Sequence, residues 1–99
     1  LAHWARDREP GLPLEWIVSR QCRATAETVG LLDRGVLAPG MRADVNVIDL
    51  DAVRARRPYL AFDLPAGGRR LLQRADGYVH TFVAGVETYT NGEPTDALP

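Results

Sequence analysis

The run RGVLAPGMRADVNVIDLD, residues 34–51, constrains this chain more than any other stretch. It sets Gly35, Pro39 and Gly40 ahead of the Ala43-Asp44 pair and then enters the short β-branched segment VNVIDL, residues 45–50. That segment is too short for a stable helix and is bounded by turn chemistry, so it reads as a strand. Before it the apolar residues recur at helical spacing; after it they alternate. Helices therefore come first and antiparallel strands second, which predicts an α+β fold or the tail end of a larger α/β fold.

On the helical side, Leu1, Trp4 and Ala5 share one face of residues 1–8, and EPGLP at 9–13 is a break. Leu14, Ile17, Val18, Cys22, Thr25, Ala26 and Val29 then recur at helical spacing, with Gly30 just past the last. Pro13 suits the first helical position. The pattern fits either one helix or two shorter ones broken near Arg23-Ala24. On the strand side, residues 51–70 hold two prolines and the Gly67-Gly68 pair and read mostly as loop. Residues 71–76 form a candidate strand with Gly77 as a turn or bulge. YVHTFV alternates, Ala84-Gly85 is a hairpin turn, VETY is a return strand and NGEP is another turn.

Ninety-nine residues suffice for one small domain. The chain is 45% hydrophobic and 25% charged, with 12 basic and 13 acidic residues and a net charge of −1. That balance offers no electrostatic case for nucleic acid or an anionic membrane. The one basic cluster, Arg54, Arg56 and Arg57, sits beside Asp49 and Asp51 and reads as a solvated loop face. No segment approaches the roughly 20 apolar residues of a membrane span.

Catalytic constellations are missing. A lone cysteine, Cys22, excludes an internal disulfide and a multi-cysteine zinc site and reads as a buried structural thiol. His3 reads as a helix-surface or interface residue, and His80 as half-buried in a sheet. Asp63, in FDLPAGG, reads as a turn opener. No HxH, HExxH, CxxC, GxSxG or GxxxxGK[ST] occurs, and Gly67-Gly68 lacks the strand-to-helix setting of a phosphate loop. Catalytic, cofactor-binding and metal residues are all expected to be absent from this chain.

The segment GLLDRGVLAPGMRADVNVIDLD, residues 30–51, resembles the signature that closes members of the metal-dependent amidohydrolase superfamily. There, an "LGL…G.I..G..ADLVV.D" pattern leads from the final helix of a TIM barrel into a small β-sandwich built from both ends of the polypeptide. VHTFVAGVETYTNGEPT resembles the terminal "V..T.V.G..VY..G" hairpin of the same proteins. DLPAGGRRLLQRADGY, residues 63–78, and the GEPTDALP ending are similar to the N-acyl-D-amino-acid deacylase (D-aminoacylase, amidohydrolase-3) branch. The opening helices resemble its "W.RE…L.LEEAV…T..PA..LGL". Departures are Asp96 where a Gly is usual, Cys22 for a Thr and Thr25 for a Pro.

The resemblance implies that residues 1–33 are the last helical segments of a TIM-barrel portion. Residues 34–99 would then be the C-terminal part of the composite sandwich. The implied parent reaction is zinc-dependent hydrolysis of the amide of an N-acyl D-amino acid, with ligands and catalytic Asp upstream of this segment. Zinc belongs to the parent and no cofactor to the fragment, which is expected to be inactive alone. Its partners would be the rest of the parent chain, with no nucleic acid and no membrane; alone, it is expected to self-associate. A cytoplasmic location is expected, with the true N-terminus upstream. Asp44 would be a turn anchor accepting nearby backbone N–H groups. The alternatives are a free-standing β-rich binding domain, using the 63–70 loop, and an independent small enzyme.

Overall fold

Where the helices fall is decided by the EPGLP break. The computed structural model describes residues 1–99. Ala2–Asp7 forms one wide helical turn closed by the Arg8 N–H on the His3 carbonyl at 2.9 Å. Pro13, extended at φ −56°, ψ 131°, stands one position outside the next helix rather than in its first turn. That helix runs through Leu14–Ser19, Arg20–Ala24 and Thr25–Thr28 without a break, since Ser19, Arg20, Ala24 and Thr25 all keep right-handed helical angles. Its middle turn is widened. The Thr25 hydroxyl donates to the Arg20 carbonyl at 2.8 Å, a side-chain intrusion of the kind that distorts the main-chain ladder. The helix stops where the Gly30 N–H bonds the Glu27 carbonyl at 3.1 Å and the Leu31 N–H bonds that of Ala26 at 2.9 Å. Those are the paired bonds of a Schellman stop.

The strands follow. β1 (Val45–Ile48), β6 (Tyr78–Val83), β7 (Val86–Thr90) and β8 (Glu93–Pro94) make one antiparallel sheet in that spatial order. Val45 stands opposite Phe82 and Val47 opposite His80. Ala84-Gly85 and Asn91-Gly92 turn the two hairpins with both central residues at positive φ, as two-residue type I′ turns require. Two small ladders complete the fold: β2 (Arg54–Ala55) with β5 (Ala75–Asp76), and β3 (Tyr59–Leu64) with β4 (Gly68–Leu72). The protein is a small α+β structure with antiparallel sheets.

Residues 51–70 correct the sequence reading. The expected loop holds β2, β3 and the start of β4, turning at Pro65–Gly67. Tyr59 and Phe62 are strand-favouring residues. Pro58 and Pro65 bound that run instead of breaking it. The candidate strand at 71–76 is likewise divided, ending β4 at Leu72 and resuming as β5 at Ala75.

Only Ile17, Ala26 and Val53 are buried, so most of the helical stripe, including Val18 and Val29, stays open. The accessible surface is 7652 Å² for a 10.9 kDa chain. A compact monomer of that mass exposes roughly 5,600 Å². The radius of gyration is 15.8 Å, where about 13 Å is usual. No helix is long and apolar enough to cross a membrane.

Val53, the most deeply buried residue, owes its setting to Gly77. A Cβ on Gly77 would lie 2.5 Å from both the N and Cα of Val53, and the φ of Gly77 is +88°. Gly40 also has a positive φ, +84°, but has open space around it. Gly40→Ala should cost only the left-handed backbone strain, roughly 1–2 kcal/mol. Gly77→Ala adds a clash with main chain and should cost clearly more. Urea unfolding of the two variants compares them, and equal losses would contradict the close approach.

Candidate functional site

The segment between helix and sheet is organised by turns that meet the final hairpin. The Met41 N–H bonds the Ala38 carbonyl at 3.1 Å, closing a turn with Pro39 and Gly40 at its centre. The positive φ of Gly40 at the third position is that of a type II turn. Gly35 passes so close to the main helix that a Cβ there would be 2.9 Å from the Arg23 Cα. Ala43 then accepts the Gly85 N–H at its carbonyl, 2.9 Å away, and the Asp44 carboxylate accepts the Ala84 N–H, also at 2.9 Å. Arg42 Nε donates to the same carboxylate oxygen at 2.9 Å, and Arg34 lies 3.8 Å from the other. Asp44 is thus an anchor, but for a turn 40 positions away rather than a neighbouring one. The Ala84 N–H first, and Arg42 second, hold its carboxyl below the usual carboxylate range.

His80 and Glu87 form the second polar cluster. The His80 Nδ1 hydrogen-bonds the Glu87 carboxylate across the β6–β7 ladder, and the Thr90 hydroxyl donates to the same carboxylate at 2.8 Å. Thr95 fastens the Glu87 main-chain carbonyl at 2.7 Å. The His80 bond, helped by Thr90, lowers the Glu87 pKa. Phe82 lies beside the imidazole, with ring centroids 6.2 Å apart. The arrangement fixes the imidazole in a half-exposed sheet position.

A cleft of about 260 Å³ opens between β5 and the β7–β8 turn, lined by Arg56, Arg74, Asp76, Tyr78, Tyr89 and Glu93. Its cations are paired internally. Arg54 and Arg56 both donate to Asp76, at 3.0 and 2.8 Å, and Arg74 donates to Glu93 at 3.0 Å. The carboxyl of Asp76 is lowered by Arg56 first and Arg54 second. Arg54 and Arg56 of the basic cluster therefore find their carboxylate across the β2–β5 ladder and not in Asp49 or Asp51.

The remaining sequence candidates lie apart. Cys22 is exposed and not the buried thiol expected. It lies on a helix face that no second layer covers. His3 is exposed and meets the Trp4 ring edge-on at 5.1 Å. Asp63 lies within β3, not in a loop, and takes a two-bonded grip from Arg70 at 2.8 and 2.6 Å. No group of three or more His, Cys, Asp or Glu converges in a way that could hold a metal ion, so these residues do not fit a zinc cradle. Sequence reasoning missed Arg6, which donates to the carbonyls of Leu50 and Asp51 at 2.7 and 2.8 Å and ties the first helical turn to the β region. Nothing in the local pattern around Arg6 signals a partner so distant. No protein-family model, curated protein or solved structure matches the chain.

The Asp44 clasp makes a pH prediction. A carboxyl with a lowered folded pKa contributes its stability fully above the unfolded value, about pH 4, and loses it as pH falls through the folded value. Asp44→Asn keeps an acceptor for the Ala84 N–H but cannot titrate, whereas Asp44→Ala removes the acceptor. Thermal midpoints near neutral pH should order wild type, Asn, Ala. Between about pH 7 and about pH 3 the Asn variant should lose less than wild type. Asp63, Asp76 and Glu87 are lowered in both proteins, so the difference isolates Asp44. Identical pH slopes would rule the clasp out.

Proposed function

We propose that this chain is the C-terminal structural portion of a zinc-dependent amidohydrolase of the N-acyl-D-amino-acid deacylase branch, and that the catalytic residues lie outside it. One observation carries the reading. The two segments that most resemble the superfamily, residues 30–51 and the β6–β7 hairpin, are clasped to each other through Ala43–Gly85 and Asp44–Ala84. In a composite sandwich that junction would lock the chain leaving the barrel onto the terminal hairpin.

The surface supports the same reading. Leu1, Trp4, Leu12, Trp16 and Ile17 line an open groove of about 320 Å³, suited to covering by a barrel's outer face. Every residue of the central strand β6 is half-exposed, on both faces of a single sheet layer. A sandwich buries one face of each sheet against the other, and a lone layer of this kind would serve as one half of such a unit. The chain's role is then mechanical: it would close the sandwich and cover the last barrel strands. The hydrolytic water, the metal that activates it and the proton-shuttling carboxylate would be held by residues upstream.

The reading frame upstream should encode a His-X-His pair. The protein expressed from that frame should carry zinc and release free amino acid from N-acyl D-amino acids. The 99 residues alone should bind zinc no more tightly than an unstructured peptide does. A frame without the histidine pair, or stoichiometric tight zinc in the isolated chain, would overturn the proposal.

A further inference from the structure

The cleft between β5 and the β7–β8 turn is shaped by an irregularity in β6. In unbroken alternation Tyr78 would share a face of that strand with His80. Their partners on β1, Ile48 and Val47, are adjacent residues, so β6 holds one extra residue, Val79, between the two pairs. This β-bulge turns Tyr78 to the face that carries Thr81, the re-aiming of a side chain that bulges accomplish. The Asn91 N–H donates to the Val79 carbonyl at 2.7 Å and fastens the bulge to the β7–β8 turn. Thr81 stands opposite Tyr89 across the β6–β7 ladder. Both phenol rings therefore line one cleft of about 260 Å³, together with Arg56 and Arg74.

Charge around the cleft is unequal. Arg54 and Arg56 share the carboxylate of Asp76, and Arg74 has that of Glu93, so three guanidinium groups meet two carboxylates. One positive charge is left over. The internal pairs also leave donors unspent. A guanidinium presents several N–H groups in a planar fork, and Arg74 reaches Glu93 through Nη1 alone. Tyr59 and Glu93 together hold the Arg74 guanidinium in place.

We propose that this cleft is a binding site for a small carboxylate carried on a flat ring, with the carboxylate on Arg56 and Arg74 and the ring against Tyr78 and Tyr89. The planar fork matches a carboxylate, and aromatic rings gain from offset or edge-on contact beyond the area they bury. The single surplus charge matches a carboxylate rather than a phosphate monoester, which carries about −1.5 to −2 near neutral pH. The inference does not rest on the enzyme reading, because no residue of the Asp44 clasp or of the tryptophan groove takes part in it.

Titration of the isotope-labelled 99-residue chain with sodium benzoate at constant ionic strength tests it. The amides of Ala75, Asp76, Tyr89, Asn91 and Gly92 should shift saturably, with a Kd at or below roughly 5 mM. Cross-peaks should join the benzoate ring protons to those of Tyr78 and Tyr89, a readout that needs no variant. Benzamide keeps the ring without the charge, and acetate keeps the charge without the ring. Each should bind at least about 10-fold more weakly than benzoate. Arg74→Gln should weaken benzoate at least about 10-fold. Arg23→Gln, the same loss of charge on the main helix, should leave its affinity unchanged. The proposal is overturned by shifts that do not saturate by roughly 50 mM, or by cross-peaks to Trp4 or Trp16 in place of the tyrosines. It is equally overturned by acetate or benzamide binding as tightly as benzoate, or by equal benzoate affinities of the two arginine variants. Benzoate binding needs neither zinc nor amide hydrolysis, so this inference and the enzyme reading fail separately.

Discussion

The Asp44 carboxylate fastens the chain entering β1 to the turn between β6 and β7. It receives the Ala84 N–H from the hairpin turn and Arg42 from its own approach. The neighbouring Ala43 carbonyl takes the Gly85 N–H. These contacts bind the mouth of β1 to the far end of β6, and the β1–β6 ladder runs on from there. Residues 31–44 form no regular element. Their geometry is fixed by a type II turn at one end, the close pass of Gly35 over the helix backbone, and this anchor. A buried core normally makes such local fastenings redundant. Here three buried residues do not, so fastening by directed polar contacts carries more of the architecture than is usual.

What was legible in the sequence follows from range. The α-then-β order, both glycine-containing hairpin turns and the stop at Gly30 are set by residues within a few positions of one another. Propensity and turn chemistry act at that distance. The role of Asp44 was half legible. Its acceptor chemistry belongs to the residue, but the donor it finds depends on a register between strands that local pattern does not carry. Arg6 on the Leu50 and Asp51 carbonyls, and Asp76 on Arg54 and Arg56, were not legible for the same reason.

The two outright misreadings have different physical origins. Residues 51–70 read as loop when every proline and glycine counts as a breaker. In the structure they fall at the ends of strands, where a missing N–H or a positive φ is tolerated. Cys22 lies on the apolar spacing of an ideal helix, and that spacing reads as burial. The turn around it is widened, and no second layer lies over it. An apolar period predicts burial only where the helix is regular and a second layer exists to cover it. Neither condition holds at Cys22.

The shortage of core bears directly on how the chain can be stable. It exposes about 2,000 Å² more than a compact monomer of its mass. That excess is comparable to what one partner contributes to a large permanent interface. Beside the exposed Val29, Leu32, Leu37 and Leu98, the open apolar surface includes the tryptophan groove and the β3–β4 arm. These differ in character. The groove is an open concavity with guanidinium groups over its two tryptophan rings. The arm is a projecting two-stranded surface with its only ion pair turned on itself. The two surfaces lie on separate elements, so covering the tryptophan groove leaves the arm open.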